Sequence, residues 1–144
     1  MKRNLLFVIP LLMLTACGRE KTYVVGETAF CTGLEDSNPE SVYCVDDKDA
    51  PINGIVIEHF ENGNIHREMT IKNGRENGLE KEYYEDGTLR VETNAVDGRA
   101  VGGSKLYNPD GKLYMEMNWV DGTATDIKVY DDAGNIVATM PESK

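Results

Sequence analysis

The stretch GLEKEYYEDGTLRVETNAVDG, residues 78–98, contains two short runs of β-forming residues, and each run is followed by an Asp-Gly pair. Asp-Gly or Asn-Gly between such runs is the strongest local signal for a β-hairpin, because both central residues of a type I′ turn need positive φ. The stretch therefore predicts a strand, a tight turn, a second strand and a second tight turn.

This unit recurs along the chain with a period of 24 residues. Gly63, Gly87 and Gly111 are 24 residues apart, and Gly134 follows after 23. Two further glycine series keep the same period: Gly54, Gly78 and Gly102, and Gly74, Gly98 and Gly122. A fixed period of this size indicates a stacked array of one small supersecondary unit, and such arrays present extended surfaces rather than enclosed pockets.

The second run of each unit alternates apolar and polar residues, which is the pattern of a half-buried antiparallel strand. We expect these positions on one face: Ile65, Met69 and Ile71 with Arg67 among them, Leu89, Val91, Thr93 and Ala95, Leu113, Met115, Met117 and Trp119, and Ile136, Ala138 and Met140. We predict an all-β fold, an elongated antiparallel β-meander of tandem 24-residue hairpin repeats with seven or eight strands. Its apolar face needs a cover, either from curling, from residues 23–44 or from a partner.

The N-terminus has the features of an export signal. Two basic residues precede an apolar run, Leu5 to Leu14, that is too short to span a bilayer comfortably. Leu14-Thr15-Ala16-Cys17 then matches a bacterial lipobox, so we expect residues 1–16 to be a lipoprotein signal peptide and Cys17 to carry the lipid. Several acyl chains hold such a protein stably on a membrane. The alternative is an ordinary secretory signal.

The rest of the chain divides into three parts. We assign residues 17–53 to the anchor, a linker and a capping segment, residues 54–140 to the repeat domain, and residues 141–144 to a polar tail. The expected location is the exported side of a bacterial cell membrane or outer membrane. The lipid is the expected membrane contact.

The composition is acidic, with a formal net charge of −10. Loss of residues 1–16 removes two positive charges, which takes the net charge from −10 to −12. Such a surface repels phosphate backbones, so we expect no nucleic-acid partner.

Cys31 and Cys44 are the cysteines that remain besides Cys17. Thiols outside the inner membrane are commonly oxidised, so we predict a disulfide that contributes about 3 kcal/mol. Two buried free thiols and half of a metal site are the alternatives. Because the sequence has no CxxC pair and only His59 and His66 as histidines, a zinc site has little support, and we expect no metal and no cofactor.

Three glutamates occupy equivalent positions in the second strands, and we expect the residues two positions before them on the same polar face: Glu68, Glu92 and Glu116 with His66, Arg90 and Tyr114. With one strand between them, neighbouring glutamates would lie about 10 Å apart. Inverting glycosidases use carboxyl pairs at comparable spacing, but a flat exposed face neither raises a carboxyl pKa nor excludes water. We therefore predict no enzyme activity. The face is a candidate binding surface, and a solvated face copied by duplication is the simpler interpretation.

Tyr83-Tyr84-Glu85-Asp86-Gly87-Thr88-Leu89 and His59-Phe60-Glu61-Asn62-Gly63-Asn64-Ile65 share one pattern. This pattern resembles the variant MORN repeats (membrane occupation and recognition nexus), in particular the branch found in bacterial proteins known as YwqK-type antitoxins, over about residues 52–140. The resemblance implies an open β-meander with binding or scaffolding roles. The third and fourth units depart from it, because Asn108 and Asp131 replace the second aromatic residue.

The predicted function is a non-catalytic, membrane-anchored interaction or scaffolding module at the bacterial cell envelope, with an unidentified protein partner. One alternative is a module that binds cell wall or another glycan. A second alternative is an antitoxin-like neutraliser of a partner toxin, although a typical antitoxin meets its toxin in the cytoplasm.

Overall fold

A computed structural model describes residues 20–34 and 42–140. The strands within these ranges are β1 (Thr22–Val24), β2 (Phe30–Thr32), β3 (Tyr43–Val45), β4 (Gly54–His59), β5 (Ile65–Lys72), β6 (Arg75–Tyr83), β7 (Leu89–Val96), β8 (Arg99–Tyr107), β9 (Leu113–Val120), β10 (Thr123–Tyr130) and β11 (Ile136–Met140). In this part of the chain, no helix is long and apolar enough to cross a membrane. The predicted lipid site at Cys17, most of the loop between the two cysteines and the tail lie outside the described residues.

Nine of the strands form one sheet in the order β1-β4-β5-β6-β7-β8-β9-β10-β11. From β4 to β11, each strand pairs antiparallel with the next one along the chain. The predicted all-β meander of hairpin repeats is confirmed. The parallel pairing of β1 with β4 is an addition to it, and β2 and β3 form a separate two-stranded sheet.

The turns between units are of the predicted type. Asn73-Gly74, Asp97-Gly98 and Asp121-Gly122 have positive φ at both positions, near 50° for the first residue and near 80° for the glycine. This is the type I′ geometry, whose twist matches the right-handed twist of the strands that it joins.

The turns within units are different, and the type I′ prediction is wrong for them. Of each pair, only the glycine has positive φ, as in Gly63 and Gly87, both at 87°. The amide of Gly63 bonds the carbonyl of Phe60 at 2.9 Å, which makes a longer loop in which a type I turn is followed by a glycine bulge. The Asn62 side chain accepts the amide two residues later at 2.9 Å, and this bond holds Asn62 out of the left-handed region.

The N-terminal segment covers the core face of the first unit. The buried residues that pack together there are Ala29, Val42, Cys44, Ile52, Val56, Met69 and Ile71. The first four come from the segment and the last three from β4 and β5. The described part of residues 23–44 thus supplies one of the predicted covers, and β1 lies within the predicted capping segment.

Docking of the β2–β3 hairpin is fixed at the turn between β5 and β6. The amide of Cys44 donates to the carbonyl of Gly74 at 2.7 Å, and the amide of Gly74 donates to Ile52 at 3.0 Å. A Cβ atom on Gly74 would lie 2.6 Å from the ring of Tyr43, so this position has no room for a side chain.

The two edges of the large sheet are finished differently. At the β1 edge, the carbonyl of Val24 accepts the amides of Glu27, Thr28 and Ala29 within 3.1 Å, which folds the chain back on itself. At the other edge, all five residues of β11 are exposed, including Ile136 at 53 % and Val137 at 61 %. Among the described residues, none pairs with the outer side of β11.

The predicted disulfide is present, between Cys31 on β2 and the directly opposite Cys44 on β3. We expect replacement of both cysteines by serine to lower the free energy of unfolding by about 3 kcal/mol, because the bond closes a loop of 13 residues and restricts the unfolded chain. Urea unfolding of chains that also carry Cys17→Ser would measure the difference. An unchanged midpoint relative to the Cys17→Ser parent would contradict it.

Candidate binding face

One line of charged side chains crosses the sheet on the face opposite the core. The directly opposite pairs are Glu68 with Lys81, Lys81 with Glu92, Glu92 with Lys105, Lys105 with Glu116, and Glu116 with Lys128. Opposite residues of paired strands share a face, and Glu68 adjoins the buried Met69 in sequence, so the line lies on the outer face. We call these six residues the charged row.

The row alternates in sign from strand to strand. The three predicted glutamates do lie two strands apart, but a lysine stands between each neighbouring pair, so the row is not an acidic stripe. The three lysines of the row were not predicted from the sequence. A signal was available, because Lys81, Lys105 and Lys128 follow each other at 24 and 23 residues, as the glycines do.

The charged groups of the row are not paired with each other. Lys105 and Lys128 are exposed, and the other four residues of the row are half-buried. All six residues are described by the structure, and no two of them form an ion pair. Exposed ion pairs contribute at most about 1 kcal/mol, so little stability is lost by leaving them open. Apart from Glu116, which accepts a hydrogen bond from Tyr130, the row therefore keeps its hydrogen-bonding capacity for another molecule.

Tyrosines flank the row on the same face. The Tyr130 hydroxyl donates to Oε2 of Glu116 at 2.6 Å, and this bond raises the pKa of Tyr130. Partial burial raises the pKa of Tyr83, and the nearby negative charge of Glu68 adds to the effect. Both phenols remain protonated donors at neutral pH, which adds hydrogen-bond donors to the charged face.

The structure does not place His66 and Arg90 on this face. A register shift occurs where β5 and β7 begin, and His66 and Arg90 are the extra residues in those strands. Nδ1 of His66 lies 3.4 Å from Glu58, and Nη1 of Arg90 lies 3.2 Å from Glu82. Both glutamates pair with core-face positions, so the predicted grouping with Glu68 and Glu92 is wrong, because a bulge shifts the alternation by one residue.

Tyr114 is the third residue of the set. In the pairing of β9 with β8, Met115 lies opposite Leu106 and Leu113 lies opposite Tyr107. Tyr114 is therefore the extra residue of a corresponding bulge in β9. The sequence offers no local mark of these three bulges, since the second strands alternate smoothly. Whether any of the six predicted residues binds a partner stays a prediction.

Charged residues also lie on the core face, beyond the cover of the N-terminal segment. Arg67 donates from Nη2 to Glu82 at 2.9 Å, and its Nε lies 3.4 Å from Glu80. All three side chains are less than 20 % exposed. Removal of one partner would leave another charge buried without compensation, which is costly.

Glu76 is the most deeply buried carboxyl described, with 2 % of its surface exposed. It lies opposite Ile71 on the core face, and neither of its oxygens has a hydrogen-bond partner among the described residues. Burial raises its pKa to about 8, and the nearby charge of Glu80 contributes. Glu76 is therefore a neutral acid at pH 7.

Within residues 20–34 and 42–140, no group of three or more His, Cys, Asp or Glu side chains is placed to hold a metal ion. The two carboxyls whose pKa is raised, Glu76 and Glu80, are largely buried on the core face.

The repeat segment matches one family model, described as the MORN repeat variant, at residues 52–73, 76–97 and 102–121. Residues 52–121 are thus three MORN-variant repeats, and β10 and β11 continue the same meander beyond the match. No match to the chain was found among curated proteins or among solved structures.

The raised pKa of Glu76 gives the fold a pH dependence. Between its ordinary pKa of 4.5 and about 8, the folded chain keeps a proton that the unfolded chain releases, so stability should fall as pH rises, by roughly 1 kcal/mol per pH unit. Glu76→Gln should flatten this slope in urea unfolding from pH 5 to 8. The exposed Glu61→Gln is the control and should keep the parent slope. Equal slopes for all three proteins would contradict the assignment.

Proposed function

We propose that this chain, whose residues 52–121 are MORN-variant repeats, is a non-catalytic protein-interaction module held by a lipid at Cys17 on the exported side of a bacterial envelope. The charged row is the observation that carries the proposal. It offers alternating carboxylates and ammonium groups on six neighbouring strands, and none of these groups is tied up in an ion pair with another member of the row.

Alternation favours recognition of a protein over recognition of a simple polyion. A polyanion or a polycation would meet repulsion at every second strand, about every 10 Å. A partner surface with charges of both signs at strand spacing would meet attraction along the whole row. Electrostatic complementarity of this kind contributes mainly to specificity and to the rate of association.

The anchor would hold this face close to the bilayer. β1 begins at Thr22, five residues after Cys17, and five extended residues span at most about 17 Å. A partner would therefore reside in the same membrane or near its surface. This reach supports an envelope role rather than capture of ligands far from the membrane.

Lipid anchoring can be tested by one substitution. Cys17→Ala should move the protein from the membrane fraction to the soluble fraction, because the acyl chains supply the membrane affinity. The Cys31→Ser, Cys44→Ser double variant is the matched control, since it changes two cysteines but keeps the lipobox, and it should stay with the membrane. Retention of Cys17→Ala on the membrane would contradict the anchor.

The charged row can be tested by exchanging one step of it. Glu92→Lys with Lys105→Glu keeps the net charge and the opposite signs within the exchanged pair. It places like charges opposite Lys81 and Glu116, and it inverts the pattern that a partner would read. After in-cell crosslinking identifies a captured protein, we expect this variant to lower its affinity for the protein roughly tenfold.

Exchange of two exposed charges away from the row, Glu61→Lys with Lys72→Glu, should leave capture unchanged. If both exchange variants capture the partner equally well, the charged row is not part of the interface. Retention of the parent protein on purified wall material from which protein has been stripped would favour the glycan-binding alternative instead.

A further inference from the structure

A shallow pocket of about 250 Å³ lies on the polar face between β8, β9 and β10. Gly103 forms part of its lining, and the charged groups around it are Glu92, Lys105, Glu116, Asp126 and Lys128. We call this pocket the Gly103 notch. Its volume is below the range of pockets for drug-sized ligands, and it suits a group of the size of one side chain.

Gly103 departs from the repeat without a structural need for glycine. Ile55 and Leu79 occupy the same position in the first two units, on the same face of the sheet. Gly103 is not among the residues with positive φ, and a Cβ atom there would meet nothing within 4 Å. The missing side chain therefore has one local effect, which is to leave space above β8.

Asp126 departs from the repeat in the opposite way, because it places a side chain where earlier units have glycine. It follows Gly102 by 24 residues, in the series that includes Gly54 and Gly78, and it adopts a φ of 49°. A side chain in this left-handed region costs about 1 kcal/mol relative to glycine. The Asp126 carboxylate has no hydrogen bond or ion pair with any described residue, so no contact within this part of the chain offsets the cost.

Both departures open onto the same space. Gly103 on β8 removes a side chain and Asp126 on β10 adds a carboxylate, with β9 between them. The notch holds three carboxylates and two ammonium groups, which gives it a net charge of −1. Neither Glu92 nor Asp126 has an ion-pair partner among the described residues, so the negative groups are available to a cation.

We infer that the Gly103 notch receives the ammonium group of a lysine side chain on the partner protein. A lysine is a slender carbon chain that ends in a compact charge with three donors, and it can reach several carboxylates at once. The flat guanidinium of arginine is matched best by a single carboxylate that accepts two parallel hydrogen bonds, rather than by carboxylates on separate strands. This inference rests on the proposed function and names the group that the partner presents.

The test uses a single blocked amino acid as the probe. We expect Nα-acetyl-lysine methylamide to shift the amide resonances of Gly103, Asn118 and Asp126 of the whole protein, with a Kd on the order of 10 mM. The norleucine analogue has the same carbon chain without the charge, and it should leave these resonances in place.

Two variants return the notch to the residue types of the other units. Gly103→Leu fills the space above β8. Asp126→Gly removes the carboxylate and also the strain that a side chain has at this positive φ. Each should weaken binding of the lysine probe at least about tenfold, and neither should lower the melting temperature. Glu61→Gln changes the net charge as Asp126→Gly does, and it should bind like the parent.

The remaining outcomes are also decisive. Resonance shifts spread evenly over the acidic surface would contradict a lysine site at the Gly103 notch. Unchanged binding of the lysine probe by the Gly103→Leu variant would contradict it as well. Shifts produced by glucosamine and not by the lysine probe would assign the notch to an amino sugar and overturn the lysine assignment. The titration needs no partner, so its failure would leave the interaction module to be judged by the exchange of Glu92 and Lys105.

Discussion

Left-handed backbone at both central residues of the tight turns is the constraint on which this sheet depends. Asn73-Gly74, Asp97-Gly98 and Asp121-Gly122 adopt it at intervals of 24 residues, and each turn fixes the pairing of the two strands beside it. A slip of one residue would turn every side chain of a strand to the other face. The position of each glutamate and lysine in the charged row follows from this register.

The two faces treat charge in different ways. On the core face, Arg67 is paired with Glu80 and Glu82, while Glu76 stays neutral because burial disfavours its anion. On the polar face, the charged groups of the row form no ion pairs with each other, and surface ion pairs would add little stability. Stability therefore depends on the core face, and the polar face is free to differ from unit to unit. The substitutions at Gly103 and Asp126 occur on this less constrained side.

The sequence predicts the hairpins, the meander and the Cys31–Cys44 bond, because short motifs with a clear physical cause specify them. It does not predict that His66 and Arg90 change faces, since a bulge depends on how two strands pair and leaves no mark in either strand alone. Burial of Glu76 is hidden for a similar reason, because the β2–β3 hairpin that docks beside it is distant in the chain. The lysines of the charged row were accessible through their period.

Because the two edges of the sheet differ, further repeat units can be added more easily at one edge than at the other. At the β1 edge the chain turns back after Val24, while at the other edge no described residue pairs with the outer side of β11. A duplicated unit can therefore be added at the β11 edge without disturbing the existing core. Each addition would extend the sheet by two strands, about 10 Å, and would carry one more glutamate and one more lysine. Length measured outward from the β1 edge is thus a heritable property that gene duplication can tune in discrete steps.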